Sequence, residues 1–319
     1  MVRLIVCLLS LMSLQALPAA AQSWPSRPVT VIVGFPAGAG IDIFARFLAD
    51  GLRERTGQPF IVENRPGAAS NIAAQAVARA APDGHTVLYT ANATHAANIH
   101  LFKNIGFDPM KDFAPVTTFL ENGWLLVANA GLPVKSVAEL TAYLKARPGQ
   151  LAYGTSGASG LIAAEMYRSM AGFDAVNVPY KGVPPAVNDL MAGRLAFMFA
   201  DISMGVSLAK SGKAKGLAVT NPRRVSQAPD IPTMAESGLP GYELLSWQAV
   251  FLPANTPDDI VQKLAGLTNA IAQSDKAREF MAKMSVQPRP GSPEALARLV
   301  QTETVRWGEI IKAAGLKPE

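Results

Sequence analysis

Two segments of this chain carry the same three-part pattern: an apolar run, a glycine-rich loop without charged side chains, and a helical periodicity. The first, VTVIVGFPAGAGID, runs from Val29 to Asp42, and the second, LAYGTSGASGLIAAEM, from Leu151 to Met166. A strand that turns into a helix through so short a loop leaves the helix N-terminus at the strand's end. Unpaired backbone N–H groups and the positive end of the helix dipole are exposed there and attract an anion without help from lysine or arginine. Two such loops point to a cleft that grips a carboxylate from two sides.

Around these units the pattern alternates strand and helix. Val29–Val33 reads as a buried strand, and Ile43, Phe44, Phe47, Leu48 and Leu52 give a helix over 41–55, stopped by Gly57. A strand at 60–62, an Ala-rich helix over 70–80 and a strand at 86–90 continue the series, with the THAAN segment after it read as a loop. A second series begins with a strand at 124–128 and a capping box at Ser136 and Glu139. Further strands follow at 151–153, 175–178, 195–199 and 216–219, with helices near Leu161, Pro185 and Met204. After the Pro-rich stretch 229–240 come a strand over 244–252 and three helices over 257–273, 276–284 and 293–314, expected to return to the first lobe. The alternation predicts an α/β protein with mostly parallel sheets in two lobes. The expected division is 22–126 and 244–319 for lobe 1 and 127–243 for lobe 2, so two crossings form a hinge on which the lobes close over a ligand.

The chain has 319 residues, 49% hydrophobic and 17% charged, enough for two medium cores. Residues 1–21 read as a secretory signal, with Arg3, a broken apolar stretch and the run Ala19-Ala20-Ala21, so cleavage is expected after Ala21 and the mature protein in the periplasm. Cys7 is the only cysteine and lies in that signal, so neither disulfides nor thiolate metal ligands are expected afterwards. Past the signal, 28 Lys and Arg face 24 Asp and Glu, a net of +4. The basic residues are scattered without interleaved aromatics, which argues against nucleic acid, and no later segment is apolar enough to span a bilayer.

Other motifs fail on inspection. A dinucleotide fingerprint starting at Gly38 requires glycine where Ile43 stands, and a phosphate loop requires a Gly-Lys-Ser/Thr ending that is missing. Gly154-Thr155-Ser156-Gly157-Ala158 approaches a nucleophile elbow, but its last glycine is Ala158. His85, His95 and His100 all precede Ser156, against the hydrolase order. Those histidines, ten and five residues apart, match no zinc signature, so neither metal nor cofactor is expected. Lys181 in VPYKG reads as an anion contact or a solvated lysine, Asp42 and Asp201 each as a ligand contact or a helix cap, and Trp247 as core or hinge.

Ten segments, in order, carry a family resemblance: WPSRPVTVIVGFPAGAGID, VENRPGAASNIAAQAVARAAPDGHTVLYT, THAAN, FDPMKDFAPVT, LPVKSVAEL, LAYGTSGASG, VPYKG, GKAKGLAVT, APDIPTMAESGLPGYE and SWQAVFLPANTP. Together they resemble the Bug or TctC-type periplasmic solute-binding proteins of tripartite tricarboxylate transporters. The resemblance implies a two-lobed Venus flytrap of the type with two hinge crossings. It also implies a monomer without a cofactor that hands a small carboxylate to membrane permease subunits. By the same resemblance Phe35, Ala37, Gly38, Ala39 and Asp42 form the carboxylate loop, Thr94 and His95 a second contact loop, and Thr155, Ser156, Ser159 and Asp201 the opposing wall. The chain departs from the family in reading Gly38-Ala39-Gly40 in the first loop, GASG in the second, and an acid at Asp201 where some members place it at Ala200. Two alternatives belong to other classes: a ligand sensor for a membrane signalling protein, and a secreted hydrolase using Ser156.

Overall fold

The computed structural model describes residues 24–180, 183–284, 286–313 and 318; the signal segment and Lys181 lie outside them. β1 (Val29–Val33) leads through residues 34–39 into α1 (Gly40–Thr56). Gly57, at φ 71°, closes that helix by donating its N–H to the carbonyl of Arg53. β2 (Phe60–Asn64), α2 (Asn71–Ala78) and β3 (Thr86–Ala91) follow, then a π-helical turn at Ala93–Ala97 and α3 (Asn98–Leu101) where a loop was expected. β4 (Phe113–Asn122) is a ten-residue strand that the sequence pattern does not announce.

β5 (Trp124–Asn129), α4 (Val137–Lys145), β6 (Ala152–Ser156), α5 (Gly157–Ala171), β7 (Val176–Tyr180), α6 (Val183–Met191), β8 (Phe197–Asp201), α7 (Ile202–Lys210) and β9 (Ala214–Val219) build the second series. α4 is capped as expected at one end, Ser136 Oγ accepting from the Glu139 N–H at 3.1 Å. The Glu139 carboxylate accepts instead from the N–H of Lys135. The chain then supplies β10 (Ser246–Pro253), α8 (Asp258–Ala272), α9 (Asp275–Lys283), β11 (Gln287–Pro288) and α10 (Pro293–Ala313).

The strands form two sheets, ordered β11-β4-β10-β3-β1-β2 and β7-β6-β8-β5-β9. Both are mixed, which corrects the mostly parallel expectation. β1, β2 and β3 are parallel, as are β6, β7 and β8, but β10 is antiparallel to β3 and β4, and β5 to β8 and β9. The reason lies in the connections. β5 and β10 each enter their sheet directly from the hinge, whereas each strand of a strand–helix unit runs toward it.

The first crossing is at Gly123, since β5 already pairs in the second sheet from Trp124; the second is the segment 220–245. Thr220 ties the crossings together. Its hydroxyl accepts from the Trp124 N–H at 2.8 Å and donates to the Leu244 carbonyl at 2.7 Å. A Cβ on Gly123 would lie 2.0 Å from Asn221 Oδ1, so a larger residue here would displace the Asn221 side chain.

Each sheet is covered on both faces. One apolar cluster packs α1, α8 and α9 on the first sheet through Phe44, Leu48, Leu264 and Met281, and another sets Ala73, Val77, Leu296 and Val300 against Ile32, Leu88 and Trp247. Trp247 is therefore a core residue. α10, expected on the first lobe, reaches both: Leu296 and Val300 join the first sheet's core, while Trp307 and Ile311 pack with Leu126, Ala163 and Tyr167 of the second. At 21 residues, roughly 31 Å of helix, it is long enough to do so. Among the described residues no helix is long and apolar enough to cross a membrane.

Candidate functional site

The strands of the strand–helix units end on the side where the chain crosses between sheets, so the N-termini of α1, α5 and α7 follow strand ends there, the usual place for ligands on such sheets. A cavity of about 310 Å³ opens at this point. Gly40, Ile41 and Phe44 of α1 line one side, Asp201, Ile202 and Ser203 another, with Asn122 and Gly123 at the hinge, Gln248 from β10, and Met284 and Val286.

The first loop is shaped by close approach. Gly34 is buried, and a Cβ there would lie 1.8 Å from Ser70 Oγ and 2.7 Å from Ser70 Cα. The opposing segment is itself unusual: Ala68, Ala69 and Ser70 all adopt positive φ, at 45°, 51° and 76°. Asn98 helps to hold them, its side-chain amide donating to Ala69 O at 2.9 Å and to Asn71 Oδ1 at 2.7 Å. Backbone strain of this kind persists where its surroundings over-determine it.

Asp42 fixes the loop from within. Its side chain is buried; Oδ2 accepts from the Gly38 N–H at 2.8 Å and from Arg46 Nε at 3.0 Å, and Oδ1 accepts from Asn64 Nδ2 at 2.8 Å. The Asn64 amide also donates to the Phe35 carbonyl at 3.0 Å. Desolvation pushes the Asp42 carboxyl up, but the hydrogen bonds from Arg46, Gly38 and Asn64 outweigh it and hold the group below its ordinary value. Asp42 therefore organises the loop through these bonds, and the amides next to it are left to meet a ligand. Gly38, at φ 81°, turns the exposed tip made with Ala37, and Phe35 is half-buried.

Ala39 occupies the N-cap position of α1 and cannot cap it. The N–H groups of Gly40, Ile41 and Asp42 lie in the first turn, where the helix itself offers no acceptor. Ser156 and Asp201 occupy the N-cap positions of α5 and α7 and are residue types that cap well, yet neither side chain makes a cap hydrogen bond. Away from this side, Ser136 and Ser274 do cap α4 and α9.

Of the predicted contacts, Asp201 lines the cavity directly, and the loop of Phe35, Ala37, Gly38 and Ala39 runs into its wall at Gly40. Thr94 and His95 are not brought to its surface, because both are fully buried. Thr94 accepts a hydrogen bond from Thr90 Oγ1 at 2.9 Å, and the His95 ring stacks on Phe251 with centroids 3.8 Å apart. Burial pushes the His95 pKa down to about 3, so the ring is a neutral plate in an aromatic cluster with Phe107 and Phe113. Thr155 is buried and donates to Asn177 Oδ1 at 2.8 Å; Ser156 and Ser159 are half-buried where β6 meets α5, outside this cavity's lining.

Sequence reasoning missed Gln248, Ser203, Asn122, Met284 and Val286. Gln248 left a signal, as a lone amide in the apolar run SWQAVFL; it accepts from the Tyr89 hydroxyl at 2.8 Å. The others reach the cavity through long-range packing.

Residues 44–316 match the model of the tripartite tricarboxylate transporter family receptors, designated TctC. The chain belongs to this family. Solved structures of similar proteins share its two-lobed architecture. A Rhodopseudomonas palustris protein, Rpa4515, solved with adipate, is 37% identical, covers 93% of this chain and all of its own, and superposes with a TM-score of 0.78. MatC from the same organism, solved with bound malate, is 33% identical over 90% of this chain and all of its own, with a TM-score of 0.72. The periplasmic binding protein BugD is 32% identical over 93% of this chain and all of its own, with a TM-score of 0.74. The receptor thus falls in a family of solute-binding proteins whose solved members include carboxylate complexes.

Proposed function

We propose that this receptor is exported to the periplasm after cleavage behind Ala21, captures a small carboxylate between its lobes as a monomer, and delivers it to the membrane subunits of a tripartite tricarboxylate transporter. The lobes that close are built on the two sheets and meet at Gly123 and the segment 220–245, with α10 packed on both. One observation carries the reading: an uncapped helix N-terminus, with Gly40 and Ile41 on the wall of a cavity whose described lining has no cationic side chain. Adipate and malate in the related structures are ligands of the matching chemistry.

A helix N-terminus contributes roughly 0.3–2 kcal/mol to an anion, whereas micromolar affinity requires about 8 kcal/mol. The remainder comes from further hydrogen bonds and from apolar contact with Ile41, Phe44, Ile202, Met284 and Val286 as the lobes close. Closure also brings the loop of Thr155, Ser156 and Ser159 to the ligand. Two measurements test the proposal together. Ligand-stripped protein should gain thermal stability with at least one member of a panel of mono-, di- and tricarboxylates, and cells lacking the chain should lose uptake of that acid. Stabilisation with unchanged uptake would favour a sensing role instead.

A further inference from the structure

We infer that Asp201 selects, among carboxylates, those that turn a hydroxyl or ammonium group toward the second lobe. The inference rests on the carboxylate reading of the cleft and adds what the far end of the ligand must offer. Asp201 ends β8 and stands at the N-cap of α7, yet its side chain caps nothing. No hydrogen bond or ion pair joins its carboxylate to another described side chain, and it is the only charged residue in the described lining of the cavity. It faces solvent inside a concavity, and burial among neighbouring protein groups raises its carboxyl above the ordinary value.

The same cavity is lined by Gly40 and Ile41 of the uncapped α1 and by the apolar side chains of Ile41, Phe44, Ile202, Met284 and Val286. A ligand spanning this space meets amide donors at one end, an aliphatic middle and a carboxylate acceptor at the other. An unsubstituted dicarboxylate placed so would set its second carboxylate against Asp201, and like charges in a partly desolvated site repel. A hydroxyl or ammonium there would instead donate a charge-assisted hydrogen bond. Ser203, on the same wall, is neutral and does not offset the repulsion.

The test uses calorimetry on the ligand-stripped full mature chain with length-matched probes: succinate, 4-hydroxybutanoate and 4-aminobutanoate in one series, and adipate, 6-hydroxyhexanoate and 6-aminohexanoate in the other. The donor-bearing acid is expected to bind about tenfold or more tightly than the unsubstituted diacid of its series. Asp201→Asn keeps the size and the capping ability of the side chain and should leave the melting temperature unchanged. In that variant the preference should flatten or invert, the diacid gaining and the donor-bearing acid losing. A wild-type preference for the diacids, or an unchanged ranking in Asp201→Asn, overturns the inference while leaving carboxylate capture intact. Failure of every probe to bind overturns both.

Discussion

Gly34→Ala is expected to cost about 3 kcal/mol of stability and to weaken carboxylate binding at least about tenfold. The added Cβ would meet backbone as well as side chain, at 2.7 Å from Ser70 Cα, and Ser70 belongs to the constrained left-handed run Ala68–Ser70. Neither partner can move without disturbing the loop that presents the Gly40 and Ile41 amides. Gly40→Ala is the matched comparison, since nothing lies within 4 Å of a Cβ there and its φ is not left-handed. It should fold at least as well as the parent, alanine being the better helix former. Denaturant unfolding and calorimetry on the two variants separate the loop's close packing from a general intolerance of alanine in it.

Asp42→Asn should show the second large effect, a loss of about 2–3 kcal/mol at neutral pH with weakened ligand binding. All three groups that meet the Asp42 carboxylate, the Gly38 N–H, Arg46 Nε and Asn64 Nδ2, are donors, so a side-chain amide necessarily turns its own N–H₂ toward one of them. Half-exposed Arg46 keeps the loss below that of a fully buried ion pair. The effect depends on pH with a definite sign. Because the folded-state pKa of Asp42 is lowered, its contribution is fully present above the ordinary value of 3.8 and disappears as pH falls through the folded value. The stability gap between parent and variant should therefore be constant from pH 7 to about 5 and narrow below about pH 4. A gap independent of pH would mean that the carboxylate charge plays no part in holding the loop.

Local patterns made most elements legible. The helix over 41–55 appears as Gly40–Thr56 because its apolar spacing and Gly57 act locally. β4 was not legible because Pro115 interrupts FAPVTTFLEN, and a proline inside a run argues against a strand. It is tolerated there because Pro115 pairs with Phe251 at a register shift, where the ladder is already irregular. The strands at 124–128 and 244–252 were legible as runs and appear as β5 and β10, but their antiparallel direction has no sequence signature, since it follows from how the hinge feeds each sheet. Asp201, singled out from sequence, lines the cavity, and the glycine loop leads into its wall at Gly40. The fate of Thr94 and His95 could not, because a π-helical turn and the stack on Phe251, 156 positions away, draw them into the core. Met284 and Val286 reach the cavity through the packing of α9, which no local pattern encodes.

The central claim is that neutral backbone donors, rather than cationic side chains, hold the ligand's carboxylate. Calorimetric titration of ligand-stripped protein with malate, adipate and their dimethyl esters, at about 20 mM and about 500 mM NaCl, addresses it most directly. The account predicts that at least one acid binds and its ester does not, with a Kd that changes less than about threefold across that salt range. Binding of the ester as tightly as the acid, or a Kd that weakens about tenfold or more across that salt range, would contradict it.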